Sequence, residues 1–296
     1  MTATKPRLSI VTPCFNAAKT IHTVVESIQR QNCSGVEHII VDGGSTDGTR
    51  DILKEYDGVV LIFEADDGPY DAINKGFAIA QGEILAWLNA DDFYLPYTLS
   101  AVLDIFETFP DIEWLTSQFP MFADRDGVIV ASEKTAGFNQ NRALFPDAIQ
   151  FRQDRTVHAA MQQESTFWRR SLWQRAGAKL NTTYTLAADF ELWLRFWQHA
   201  EVYALAAPLG CFRWTDEQRS NVHWQEYENQ INQILAAHGG GSASVAKTFA
   251  RRIALLFRGA PQVLLEHCWF AAKTNHVCYN RDMKTWSIKP RYSVIP

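Results

Sequence analysis

The chain has no run of the roughly 20 apolar residues that a membrane-spanning helix needs, and no long run of Lys and Arg. The first absence leaves no spanning helix to assign. The second argues against a nucleic-acid partner, because binding a phosphate backbone needs a concentrated basic surface. The overall balance agrees: 28 Lys and Arg against 33 Asp and Glu give a formal net charge of -5. Cysteine is scarce. Cys14, Cys33, Cys211, Cys268 and Cys278 are odd in number, widely spaced and without a C-x-x-C pair. They suggest neither a disulfide framework nor a zinc site, and a reducing cytoplasm is the simpler setting. The first residues hold no signal-peptide apolar region, so the expectation is a soluble chain, at most peripheral to the inner face of a membrane. A G-x-G-x-x-G after the first strand-like run and a G-x-x-x-x-G-K-[ST] loop are both missing. That counts against dehydrogenases and P-loop enzymes.

What is present is a regular alternation of two periods. Strand-like runs at 8–12, 38–41, 59–63 and 84–88 alternate with helical spacing at 20–31, after Asp47, and at 70–80. Such alternation means βαβ crossovers, hence an α/β fold with a mostly parallel sheet flanked by helices. Further on, 113–118 and 163–168 read as strands, and 119–123 and 128–132 as a hairpin around Asp126-Gly127. Residues 187–199 and 225–237 read as helices. Trp193 and Trp197, four apart, fit a core stripe. After the break at His238-Gly239-Gly240-Gly241-Ser242, the segment 245–278 reads as two short helices. The expected division is a domain over residues 1–225, with a nucleotide-binding half over about 1–118 and an acceptor half over 119–225. A helical C-terminal extension follows over 226–296.

Ligands of open α/β sheets settle beyond the carboxyl ends of the parallel strands. Here those ends are polar each time: Thr12, Pro13 and Asn16; Asp42 with two glycines behind it; Glu64-Ala65-Asp66-Asp67-Gly68; and Asn89-Ala90-Asp91-Asp92. Two adjacent carboxylates repel each other unless a cation holds them, and hard oxygen ligands suit Mg2+ or Mn2+. The same Asp91-Asp92 pair can also serve as a turn and helix cap. Asp42 can accept from a base or ribose, or simply open an Asp-Gly turn.

Val11-Thr12-Pro13-Cys14-Phe15-Asn16, then Ile39 to Thr49, then Leu88-Asn89-Ala90-Asp91-Asp92 resemble the family 2 glycosyltransferases of GT-A fold, in order and spacing over roughly residues 7–220. Glu64 to Gly76 resembles a bacterial subset of that family. The resemblance implies that Pro13, Phe15 and Asp42 line the nucleobase pocket, with Asp42 reading the base, and Asn16 is a further candidate for the nucleotide. It places Asp91 against the ribose and metal waters, and Asp92 on a metal bridging the diphosphate. Where relatives often carry Arg, this chain has Ile73, so Lys75 is the candidate for phosphate charge. Asn89 replaces a frequent Asp, Ala188 a frequent Glu, and Thr215 stands near a histidine that completes the metal shell in some relatives.

The stretch 186–195 resembles the family's acidic pair ahead of an apolar helix, which makes Asp189 the candidate base taking the acceptor proton. Helix capping is the other role open to it. Glu191 ranks second. Glu164, in a Gln-Gln-Glu stretch similar to that subset, is a candidate sugar or acceptor ligand, and Arg213 a candidate sugar or phosphate contact. The implied activity is an inverting, metal-dependent transfer from a nucleoside-diphosphate sugar, UDP being the first expectation. The acceptor would be a cell-surface glycan or lipid-linked glycan. The alternatives are a non-catalytic nucleotide-sugar-binding module and a nucleotidyltransferase. The basic and apolar mixture of 250–258 suits an interfacial helix or a packed one with snorkelling Arg heads.

Overall fold

The computed structural model describes residues 5–132, 134–135, 137–138, 140, 161–215, 218–240 and 271–294. β1 (Leu8–Cys14), β2 (Val36–Asp42), β3 (Val59–Phe63) and β4 (Ile84–Trp87) alternate with α1 (Ile21–Gln29), α2 (Thr49–Lys54) and α3 (Pro69–Ile79). β1 lies between β2 and β4, parallel to both, and β2 is parallel to β3. The periodicity of the first third is therefore realised as the expected mostly parallel sheet.

Successive residues of β1 face opposite layers, as strand geometry requires. Leu8 and Ile10 join a core with Ile21, Val24 and Leu53 from α1 and α2, together with Leu99 and Val102 of α4 (Thr98–Thr108). Val11 faces the other way, into a core with Ile73 and Phe77 of α3 and Trp173 of α5 (Arg170–Arg175). Leu192 and Trp193 of α6 (Ala188–Trp197) complete that layer. Its centre is aromatic: the rings of Trp87 and Trp193 stack 5.8 Å apart at 7°, and Trp168 meets both edge-on. Trp193 is thus core, as its spacing indicated. Gly76 lets α3 sit close on β1, since a Cβ there would fall 2.4 Å from Val11 Cγ1.

The second half completes the sheet. β6 (Trp114–Ser117) and β10 (Val202–Leu205) are parallel to each other, and β9 (Phe167–Arg169) lies antiparallel between β4 and β6. A smaller sheet contains β5 (Phe93–Tyr94), β11 (Gly210–Arg213) and the hairpin of β7 (Met121–Ala123) and β8 (Ile129–Ser132). The helical run after residue 218 divides into α7 (Arg219–Val222) and α8 (Trp224–Ala237).

Two sequence expectations need correction. Only Phe167–Arg169 of the expected 163–168 strand is extended; Gln163–Ser165 is a 3-10 turn. Local bonds take the place of a ladder: Thr166 Oγ1 donates to the Gln162 carbonyl at 2.7 Å, beside the Ser165 backbone amide at 3.2 Å, and such side-chain bonding competes with strand pairing. The helical extension also fails at its end. Residues expected to be helical through Cys278 form β12 (Ala271–Asn280), which pairs antiparallel with β13 (Thr285–Val294) and parallel with β10. Asn280 Oδ1 accepts from the amides of Asp282 and Met283, an Asx turn that reverses the chain. The candidate interfacial helix at 250–258 lies outside the described residues. Among the described residues, no helix is long and apolar enough to cross a membrane.

Candidate active site

The carboxyl ends of β1, β2, β3 and β4 share one edge of the sheet. In register, Cys14 pairs with Asp42 and Asp42 with Phe63. The β1–α1 loop ties this edge together. Asn16, with φ 51°, donates its amide to Ser45 Oγ at 2.8 Å and accepts the Thr46 amide on Oδ1 at 2.9 Å. The Ala17 amide reaches Thr49 Oγ1 at 2.9 Å and the Ala18 amide Asp47 Oδ2 at 3.0 Å. On the other flank Thr20 Oγ1 donates to the Ala90 carbonyl at 2.7 Å. The tips of β2 and β4 therefore stand on either side of β1, two strand spacings or roughly 10 Å apart. Asn16, assigned to the nucleotide, serves as the joint of that loop, while Pro13 is buried beneath it and Phe15 is 64% exposed.

Asp42 is fully buried. Its Oδ1 accepts from the Gly44 amide at 3.1 Å, the Ser45 amide at 3.0 Å and Arg50 Nε at 2.7 Å. Burial pushes the carboxyl up, but bonds from Ser45, Arg50 and Gly44 outweigh it and hold the group below the usual carboxylate range. Its Oδ2 is buried with no partner. An unpaired buried acceptor of this kind costs about 1–3 kcal/mol, so the oxygen is poised for a donor.

Past β4 the two aspartates have different surroundings. Asp92 is fully buried; its Oδ1 accepts the Arg213 amide at 2.9 Å and its Oδ2 accepts Asn89 Nδ2 at 3.1 Å and Gln163 Nε2 at 3.5 Å. It braces the loop. Asp91 is half-buried, and its carboxylate accepts no side-chain donor among the described residues. Burial raises Asp91, opposed by its own amide and by the charge of Arg213. Burial also drives Asp92 well above the carboxylate range, with the charges of Asp91 and Glu164 adding to the shift.

Two more carboxyls join from distant segments. Glu164, on the 3-10 turn, is 1% exposed and leaves Oε1 unpaired; burial takes it up to about 8, its own amide opposes, and Asp91 and Asp189 add to the rise. Asp189 lies in the first turn of α6, half-buried, with Oδ1 unpaired. No side chain caps this helix, so the capping role is unused. Burial takes Asp189 up to about 6, and its charge is felt by Tyr70 and Tyr227.

The remaining candidates are engaged by other protein groups. Lys75 pairs with Glu64 at 3.0 Å and Asp71 at 3.2 Å and donates to the Ala65 carbonyl at 2.6 Å; all three of its donors brace the β3–α3 loop. Arg213 is buried, donates Nε to the Asp91 carbonyl and Nη1 to the Arg125 carbonyl, both at 2.7 Å, and lies over the Phe93 ring. It ties the acidic corner to the β7–β8 hairpin. Glu191 is buried and chelated by Arg195, at 2.9 Å to Nε and 2.8 Å to Nη2. That guanidinium in turn holds the Ala176 and Lys179 carbonyls, so Glu191 clips α6 to the loop after α5. Glu191→Ala is expected to lower unfolding free energy by about 1–3 kcal/mol with kcat unchanged within twofold, read by denaturant melts beside turnover.

Sequence reasoning passed over Arg50, and gave Asp66, Asn89 and Gln163 no role beyond membership of polar runs. Asp66 Oδ1 accepts the Gly68 amide at 2.9 Å, and its Oδ2 lies over Gly43, where a Cβ would come within 2.2 Å. Only the Asp42-Gly43-Gly44 run hinted that something approaches the backbone there.

A parallel sheet carrying acidic loops along one carboxyl edge defines the GT-A architecture, and solved structures agree. S. aureus TarS 1–349 in complex with UDP-GlcNAc superposes with a TM-score of 0.60 at 14% identity, covering 85% of this chain and 72% of that one. The mannosyltransferase PcManGT from Pyrobaculum calidifontis, in complex with GDP-Man and Mn2+, gives 0.55 at 20% identity over 82% and 67%. Residues 9–175 match the model of glycosyl transferase family 2, and the chain belongs to that family. TuaG of Bacillus subtilis, described as a putative teichuronic acid biosynthesis glycosyltransferase, is 42% identical over 97 residues, 31% of this chain and 38% of its own length. A PGL/p-HBAD biosynthesis glycosyltransferase of Mycobacterium bovis is 39% identical over 103 residues, 33% of this chain and 40% of its own. The matched region spans under half the length of these curated relatives.

Proposed function

We propose that this chain transfers a sugar from a nucleoside-diphosphate sugar to a hydroxyl of a cell-surface or lipid-linked glycan, with inversion at the anomeric carbon. The observation that carries this reading is the gathering of Asp91, Asp92, Glu164 and Asp189, from three distant segments, into one electrostatically linked acidic corner. It lies roughly two strands from the orphaned oxygen of Asp42. A nucleoside set on Asp42, between the exposed rings of Phe15 and Phe63, would extend its diphosphate toward Asp91.

Among the described residues no three His, Cys, Asp or Glu side chains could hold a metal by themselves. Asp91, whose carboxylate takes no side-chain donor among the described residues and sits amid like charges, would hold an Mg2+ or Mn2+, cations that bind through one or two carboxylates. Such an ion supplies charge neutralisation to the leaving diphosphate. Asp92, Asn89 and Arg213 hold Asp91 in place. The acceptor oxygen bonds to the anomeric carbon as the carbon–diphosphate bond breaks on the opposite face, and Asp189 takes the acceptor proton. A carboxyl lifted to about 6 is a stronger base than an ordinary aspartate and still ionised at neutral pH.

The test is a thermal-shift and turnover series with nucleotide sugars, with and without Mn2+. A true donor at about 100 times its Kd is expected to stabilise the fold by about 2.7 kcal/mol and to release nucleoside diphosphate. Stabilisation without release would leave only a binding module.

A further inference from the structure

More polar groups gather around Asp42 than a single base-reading carboxylate would need. Three groups meet there. Asp42 offers one free oxygen, Oδ2, its other oxygen being saturated by three donors. Asp66 comes in from the β3–α3 loop, half-buried, with its Oδ2 pressed over Gly43 and taking no donor among the described residues. The two carboxyls feel each other's charge. Arg50 holds Asp42 through Nε, lays its guanidinium over the Phe63 ring at 5.0 Å, and keeps its Nη donors uncommitted among the described residues. Two acceptors, Asp66 and Asp42, and one donor, Arg50, thus converge on the end of β2.

Nucleobases differ in what they present along the corresponding edge. Uracil shows acceptor, donor, acceptor, so a second carboxylate beside the first would face a carbonyl oxygen. Cytosine and adenine put a ring nitrogen acceptor next to their amino donor. Guanine alone shows two neighbouring donors, N2–H and N1–H, followed by the O6 acceptor. Hydrogen bonds to an ionised group are strong, and a mismatched buried partner is penalised by the full desolvation of that group.

We propose that Asp66 and Asp42 together read the N2 and N1 donors of guanine, with Arg50 on O6, so that the sugar donor is a guanosine-diphosphate sugar. This replaces the uridine nucleotide expected from sequence, and it rests on the nucleotide-sugar reading above. Asp66 then sets specificity, while Asp42 anchors whichever base enters. Gly43 is required because any side chain there would displace the Asp66 carboxylate.

Calorimetry with GDP, IDP and UDP in Mn2+ tests it, since IDP is GDP without the N2 amino group. The intact chain is expected to bind GDP at least about tenfold more tightly than either IDP or UDP, the scale of one lost hydrogen bond to a charged group. Asp66→Ala should bring GDP and IDP within about twofold of each other, with an unchanged melting temperature showing that the fold survives. Equal binding of GDP and IDP by the intact chain overturns the Asp66 assignment. UDP binding as tightly as GDP overturns the guanine assignment while sparing the nucleotide-sugar reading. If no nucleoside diphosphate binds, that reading falls and this one with it.

Discussion

Asp189→Asn is expected to lower kcat by about 10²–10⁴-fold, the usual share of a positioned general base, while leaving Kd for the nucleotide within about twofold. The substitution is isosteric, and Asp189 accepts only local amide bonds at the start of α6, so the helix has little reason to move. A pH series adds a sharper signature. With the carboxyl lifted to about 6, kcat/KM should rise through that pH as the base ionises, and the variant should lose this limb. Stability should move the opposite way. A carboxyl whose folded pKa lies above its unfolded value near 3.8 keeps its proton more tightly when folded. The intact chain therefore loses stability as pH rises from about 4 to 6. The asparagine carries no charge to bury, so the variant should melt higher than the parent above pH 6. Loss of turnover with a gain in melting temperature is hard to obtain from a merely structural residue. An unchanged pH profile, or full activity in the variant, would remove Asp189 from the chemistry.

How much of this was legible in the sequence depends on how local each cause is. β1 to β4 and α1 to α3 follow from period and punctuation within a dozen residues, and the loops beyond those strands are polar for the same local reason. Asp42 and Asp189 are placed as the motifs implied, one at the end of β2 and one opening α6. Glu191 was not legible: two residues from Asp189, it turns to Arg195 and the carbonyls behind α6, a partnership set by tertiary packing. The setting of Lys75 was no more legible, since Glu64 and Asp71, both earlier in the chain, fold back to pair with its charge. The β12–β13 hairpin was missed because its pairing partner, β10, lies some 70 residues upstream. Around Asp42 the partnerships are tertiary as well: Arg50 is fixed to Asp42 across a turn, and Asp66 is fixed over Gly43 by a loop from the next strand.

The pair at 91 and 92 gives the second large effect, and adjacent identical residues make it a controlled comparison. Asp91→Ala removes a carboxylate that no other side chain needs. The expected result is an unchanged melting temperature, loss of Mn2+-dependent nucleotide binding by more than about 10²-fold, and no detectable transfer, since the diphosphate loses its charge partner. Asp92→Ala removes a fully buried acceptor and strands the Arg213 amide and the Asn89 and Gln163 side-chain amides. Each stranded donor costs about 1–3 kcal/mol. This variant should be destabilised by several kcal/mol, and its loss of activity should track unfolding. Asp92→Asn separates geometry from charge: an amide oxygen can still accept from Arg213, but its NH2 meets two other donors, so stability should fall without full collapse. Thermal melts and Mn2+ titrations on the three proteins decide the matter. If Asp92→Ala melts like the parent while Asp91→Ala still responds to Mn2+, the roles are those the family motif implies, and the buried bonds of Asp92 are incidental to the fold.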